Sequence, residues 1–325
     1  MRSERTADFE AAIMANLAID VTIVMPCLNE VDCLAHCIAN ARVALAAIEN
    51  ELGLLGEIVI ADNGSTDGSQ TLAVGLGARV VAVIERGYGA ALNGGASAAF
   101  GGYVLMGDAD GSYDFTDGVA MICSLHQDSA DLCMGSRFLG GIAPGAMPWK
   151  NRHIGNPLLT GLLNFLFRAR IDDAHCGFRA IRKDAFLRLG LTGTGMEFAS
   201  EMVIKAAIKR LRITQAPARL LADLRDRPPH LRPWRDGWSH LRYLFMLSPT
   251  WLSAFPGGAA IALAGVVMLV ALAHLLGMMH ARRRSAQAGR SRRASCSRLA
   301  IYRRSSRLPL TCRACVRAID PWVAC

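Results

Sequence analysis

Residues 103–113 read YVLMGDADGSY, a short apolar strand that runs straight into two aspartates, Asp108 and Asp110. The same pattern occurs three times upstream. VTIVMP (21–26) is β-branched, stopped by proline, and followed by a helical stretch over 30–52. EIVIAD (57–62) ends in Asp62 and leads through NGSTDGS, where Ser65, Thr66 or Asp67 can cap the next helix. ARVVAVIE (78–85) is a third strand, and GYGAALNGG after it reads as a glycine turn opening a helix. Four alternations of strand and helix predict an open α/β fold with a mostly parallel sheet and ligands at the carboxyl ends of the strands. The polar punctuation falls at those ends: Asn29 and Glu30, Asp62 and Asn63, Asp108 and Asp110.

Beyond residue 132 the alternation weakens. LCMGSRF reads as one more strand, and PWKNRHIGNPLLTGLLNFLFRARI holds an amphipathic or fully apolar helix. AHCGFRAIRKDAFLRL is a strand, turn and helix, and GMEFASEMVIKAAIKRL is a helix. The proline-rich basic LRDRPPHLRPWRDGWSHLRYLFML becomes a basic, aromatic helix over 236–253, and the apolar run directly after it places that helix beside a membrane. Residues 254–279 carry no Asp, Glu, Lys or Arg, and a spanning helix needs about 20 apolar residues. This stretch is expected to cross a membrane; the alternative is a long core helix.

The net charge of +9 is local. Residues 281–325 hold 12 of the 36 Lys+Arg and one of the 27 Asp+Glu, leaving 24 bases against 26 acids before them. The body is nearly neutral, so nucleic acid is not an expected partner. The segment 280–325 has arginine but no lysine and lacks a hydrophobic period. It reads either as a basic arm for anionic lipid or as the product of a shifted reading frame. The lead, residues 1–18, mixes charges without an apolar core, unlike a secretory signal. The cysteines show no zinc spacing, which fits reduced thiols and a catalytic part on the cytoplasmic side of the cell membrane.

Asp108 and Asp110 carry the sharpest chemical signal. Two carboxylates on one turn can meet a hard cation such as Mg²⁺ or Mn²⁺ together with substrate phosphates. A bare pair of this kind is more often a solvated loop; its place after a buried strand favours a site. Asp62 is either turn chemistry or an acceptor for a nucleoside. GYGAALNGG, with Gly89, lacks a clean dinucleotide fingerprint and follows the third strand. Arg137 and Arg152 suit an acidic ligand, although from spacing alone a structural ion pair is the better reading of each. His175 reads as a packed histidine sooner than as a base. Glu197 and Glu201 share a helix face.

Taken together, VTIVMPCLNE, IVIADNGSTDGS, GYGAALNGG, YVLMGDADGSYDF, MGSRF and AHCGFRAIRKDAF resemble glycosyltransferase family 2, of GT-A type. Within it the sequence is most similar to the polyprenyl-phosphate (dolichol-phosphate) sugar synthases, over about residues 19–250. The resemblance implies a GT-A domain over 19–235 and an inverting transfer from a UDP- or GDP-sugar to a polyprenyl phosphate. It implies donor contacts from Pro26, Asn29, Glu30, Asp62, Asn63 and Gly89. Asp108 and Asp110 would hold the metal, and Arg137 and Arg152 the acceptor phosphate. Arg232 and Arg235, just before the span, are further candidate acceptor contacts. Such relatives often carry two C-terminal spans, where one is found here. The rivals are a transferase with a polysaccharide or other glycan acceptor, a nucleotidyltransferase releasing pyrophosphate, and a non-catalytic membrane scaffold.

Overall fold

The computed structural model describes residues 19–225, 233–248 and 254–305. Seven strands form one sheet: β1 (Val21–Cys27), β2 (Gly56–Asp62), β3 (Arg79–Ala82), β4 (Tyr103–Met106), β5 (Leu132–Ser136), β6 (Arg179–Arg182) and β7 (Ile213–Pro217). Their order is β3-β2-β1-β4-β6-β5-β7, parallel except for β6, which runs antiparallel to both neighbours. The expected mostly parallel α/β sheet is therefore present. β7 is not evident from the sequence, because ITQAP is short, ends in proline and buries one residue fully. β3 is shorter than 78–85, and Arg137 closes the strand expected over LCMGSRF by opening a helical turn.

The sheet is apolar on both faces, and the alternation along each strand shows why. Val21, Ile23 and Met25 of β1 and Ile58 and Ile60 of β2 point into one core. There they meet Leu34, Ile38 and Ile48 of α1 (Val31–Leu52), Ala73 of α2 (Ser69–Gly75), and residues of α4 (Gly118–His126). Val24, Val59, Val104 and Met106 point into the second core. That core is closed by α3 (Tyr88–Ala98), α6 (Asn156–Phe167), α7 (Lys183–Leu189) and α8 (Phe198–Ile208). α5 (Arg137–Gly140) is a single turn. Double coverage is what a parallel sheet requires.

α9 (Pro233–Met246) packs on α8 and buries His240 and Leu244. It begins before the expected 236–253, whose last residues lie outside the described part. The second compact unit holds α10 (Phe255–Ser305). By length and composition α10 can cross a membrane; α1 passes the same test but is a core helix. The helix does not stop at residue 279 where the apolar run does. It continues through the arginine-rich segment, because alanine, arginine and serine do not break a helix.

Candidate active site

Topology sets the site. β1 lies between β2 and β4, so the chain reverses its winding there and leaves a crevice at the strand ends. Cys27 pairs with Asp62, and Val24 with Met106, which brings the loops after all three strands together.

Two of those loops are laced by side chains. Asn29 takes a left-handed φ of 59°, accepts from Thr66 N (2.8 Å) and donates its own N–H to Ser65 Oγ (2.9 Å). Asp67 accepts from Val31 N (3.0 Å) and Ser69 N (3.0 Å), serving the first turns of α1 and α2 at once. Asp62 is buried and accepts from Gly64 N (3.0 Å), Ser65 N (3.2 Å) and Gln70 Nε2 (2.6 Å). Its carboxylate therefore organises its own turn. Asn63 donates to the Glu85 carbonyl (2.6 Å) and accepts from Gly87 N (2.7 Å), tying this loop to the glycine turn. Pro26 is half-buried at the end of β1.

Gly89 is a packing glycine. A Cβ there would fall 2.4 Å from the Gly193 carbonyl and 2.8 Å from that of Gly195. The two glutamates that share a helix face hold this same loop: Glu201 accepts from Thr192 N (3.0 Å) and Gly193 N (2.7 Å), Glu197 from Gly195 N (2.9 Å). Both are thus accounted for by loop closure.

The acidic pair sits past β4. Asp108 accepts from the Tyr88 hydroxyl (2.9 Å). Burial, and next the charge of Asp110, push its carboxyl up to about 7. Asp110 accepts from Ser112 N (2.9 Å) and Ser112 Oγ (2.5 Å) on one oxygen. Its other oxygen takes Arg225 Nη2 at 2.6 Å. The same guanidinium reaches Glu30 Oε1 (3.3 Å) and pairs with Asp223. Burial opposes the charge on Arg225, but the three carboxylates outweigh it and hold the group protonated. Residues 221–225 form a strap over the motif: Leu221 N donates to the Ser112 carbonyl (2.8 Å) and Leu224 N to that of Asp110 (3.0 Å). Gly111, at φ 78°, leaves the room that Leu224 fills.

The arginines divide. Arg137 is buried and forks onto Asp173, Nε to Oδ2 at 2.6 Å and Nη2 to Oδ1 at 2.7 Å. The ion-pair alternative is realised there, although its charge still acts on Asp108. Arg152 is exposed on a π-helical turn, Asn151–Gly155, and makes no ion pair among the described residues. Arg232 lies outside the described residues, as does the side chain of Arg235. His175 packs edge-on against His240 with ring centroids 4.8 Å apart, as a packed histidine would. Burial holds it well below its ordinary value.

Sequence reasoning misses Arg225, Tyr88 and Gln70. Tyr88 lies inside the quoted glycine turn, but nothing in its spacing points at Asp108. The buried Arg179 also belongs here: it donates to the carbonyls of Cys176 (2.7 Å) and Ala199 (2.6 Å). This fixes the turn whose Gly177 lies against Asp108, where a Cβ would sit 3.0 Å from Oδ2.

The family comparison agrees with this mostly parallel α/β sheet. The profile described as glycosyl transferase family 2 matches residues 22–190, more than half of the chain. The chain belongs to glycosyl transferase family 2. It is 38% identical over 256 residues to a low-salt glycan biosynthesis hexosyltransferase of Haloferax volcanii, across 79% of this chain and 60% of that relative's length. It is 29% identical to a dolichyl-phosphate hexose transferase of the same organism, across 61% of this chain and 81% of the relative. A dolichyl-phosphate beta-glucosyltransferase of Saccharomyces cerevisiae is 28% identical, across 61% and 66%. Among solved structures, glucosyl-3-phosphoglycerate synthase of Mycobacterium tuberculosis, crystallised with Mn²⁺, UDP and glucosyl-3-phosphoglycerate, superposes with a TM-score of 0.55 at 21% identity, covering 73% of this chain and 82% of that one. That likeness shows the GT-A type fold. The family 2 domain here thus stands near the dolichyl-phosphate sugar transferases.

Proposed function

We propose that this chain moves a hexose from a UDP- or GDP-sugar to a polyprenyl phosphate of dolichyl type at the cytoplasmic face of the cell membrane. The observation that carries the reading is the Asp108–Asp110 pair at the end of β4, with a cation, the Arg225 guanidinium, already drawn to Asp110. The names of the dolichyl-phosphate relatives support the acceptor. The family 2 domain would be catalytic, α9 would lie beside the membrane, and α10 would anchor the chain.

The residues fit Mg²⁺ or Mn²⁺, the latter being the ion in the neighbour's structure. The donors are all carboxylate oxygens, which suits a hard cation. Among the described residues no three acidic, His or Cys side chains are grouped to hold an ion by themselves, so the ion would share its ligands with a diphosphate. Asp108 and Asp110 would hold it, and it would supply charge neutralisation for the leaving diphosphate. The loops of Asn29, Glu30, Asp62 and Asn63 would seat the nucleoside. Arg152, and Arg137 through its charge, would face the acceptor phosphate. In the transfer a phosphate oxygen of the lipid bonds to the anomeric carbon as the sugar–diphosphate bond breaks, with inversion. The nucleophile is already anionic near neutral pH, so no strong base is needed, and preorganised charge supplies most of the catalysis.

Membranes carrying the full chain, given a panel of labelled UDP- and GDP-sugars, a polyprenyl phosphate and Mn²⁺ or EDTA, test this. Metal-dependent, lipid-extractable label is the expected result. Metal-dependent donor turnover with no lipid-bound label would refute the acceptor. It would favour a glycan acceptor, the reading that the Arg137–Asp173 fork supports.

A further inference from the structure

α9 is fastened to α8 by polar side chains as well as by Leu244. His240 is buried, and its Nδ1 shares a hydrogen bond of 2.8 Å with the buried Ser200 Oγ of α8. The same hydroxyl lies 3.4 Å from Nε2 of His175, and the two rings meet edge-on with centroids 4.8 Å apart. One turn further along α9, Tyr243 bonds to Glu201 and Thr192. Both contacts end on loops of the site. His175 belongs to the 173–177 turn, which carries the Asp173 partner of Arg137 and sets Gly177 against Asp108. Thr192 belongs to the loop whose Gly193 and Gly195 carbonyls lie against Gly89.

The array suits uncharged imidazoles. His175 Nδ1 is buried and has no hydrogen-bond partner among the described residues. A charged imidazole donates from both nitrogens, so a proton added there would sit on a buried N–H without an acceptor. The groups facing His175 are His240 of α9, Arg137 of α5 and Arg179 of β6, with Asp173 on its own turn. Asp173 is committed to the Arg137 fork, and Arg179 donates to the carbonyls of Ala174, Cys176 and Ala199. On α8, Glu201 is taken by Lys205, Thr192 and Gly193, and Glu197 accepts from Gly195 N.

We infer that His175, Ser200 and His240 form a proton-sensitive latch. Uncharged, it seats α9 on α8 and steadies the 173–177 turn and the 192–195 loop; a proton taken up by the imidazole pair releases α9 and loosens both. The sign follows from burial, and next from His240 and the two arginines, which hold His175 well below its ordinary 6.5 while α9 is seated. The released form therefore takes the proton more readily, so seating is complete above about pH 6.5 and weakens below it by up to about tenfold per unit. The latch makes the segment that leads to α10 a control on the geometry of the site. It does not require the proposed reaction.

The test is amide hydrogen exchange on the full chain in detergent at about pH 7.5 and about pH 5, corrected for the intrinsic pH dependence of exchange. Protection of peptides covering 173–177 and 192–195 is expected to fall about tenfold or more at the lower pH, while a peptide covering β1 keeps its protection. The double variant His175→Gln, His240→Asn places amide groups near the two bonding nitrogens and cannot titrate. It is expected to hold both loops protected at about pH 5. Unchanged protection in the wild type overturns the inference, and so does loss of protection in β1 together with the loops, which is acid unfolding of the whole domain. A double variant that is protected at about pH 7.5 and loosens at about pH 5 as the wild type does overturns it as well. No arm measures sugar transfer, so the latch and the proposed reaction can fail separately.

Discussion

At the scale of the residue, Arg225 is the most informative side chain. It occupies the Asp110 oxygen that a divalent ion would need. Arg225→Gln is therefore expected to strengthen Mn²⁺ binding several-fold in the absence of nucleotide, read by the loss of the free-ion EPR signal; unchanged or weaker binding would show that the guanidinium does not compete. Glu57 gives a pH prediction. Burial raises its carboxyl, but bonds from Arg79, Phe100 N and Thr22 outweigh that and hold it below the ordinary value. A lowered folded-state pKa stabilises the fold above the unfolded value and stops doing so as pH falls through the folded one. Glu57→Gln should cost about 2 kcal/mol at neutral pH. The gap to the wild type should close once pH drops well below 4.5, measured by unfolding in detergent. A gap independent of pH would mean that the ion pair contributes nothing.

At the scale of the element, α6 has two faces with different work. Leu163 is fully buried in the second core, whereas Leu158 faces outward. Leu163→Ala is expected to destabilise the folded domain by about 3 kcal/mol through the cavity it leaves. Leu158→Ala should change stability by no more than about 0.5 kcal/mol. Equal effects in thermal unfolding would show that the two faces are not distinct. The strap over Gly111 is an element of another kind. Its two backbone bonds join residues 221–224 to the acidic loop, so a segment more than a hundred positions downstream forms one wall of the site.

At the scale of the whole molecule, α10 is long and apolar enough to cross a membrane. Its 51 residues extend about 77 Å at 1.5 Å each, well beyond a hydrocarbon layer of about 30 Å. The apolar half alone is enough to span. The full chain is expected to stay in the membrane pellet after alkaline carbonate, while Val267→Arg weakens retention. Release of the unaltered chain would remove the anchor from the reading.

The first half of the sheet is legible in the chain alone. VTIVMP, EIVIAD and YVLM each bury both faces, and runs this short, bounded by Pro, Asp or Gly and rich in β-branched or apolar residues, read as strands sooner than as helices. The positions of Asp62, Asp108 and Asp110 at strand ends are legible too, because strand direction follows from the βαβ alternation. Their partners are a product of the folded chain. Arg137 is forked onto Asp173, and Arg225 sits on Asp110. These are contacts between residues 36 and 115 positions apart. A local pattern encodes periodicity and turn chemistry over a few residues; it carries no term for which distant charge reaches a carboxylate first. The sheet order, with β6 inserted antiparallel between β4 and β5, makes that choice by setting which loops share the crevice.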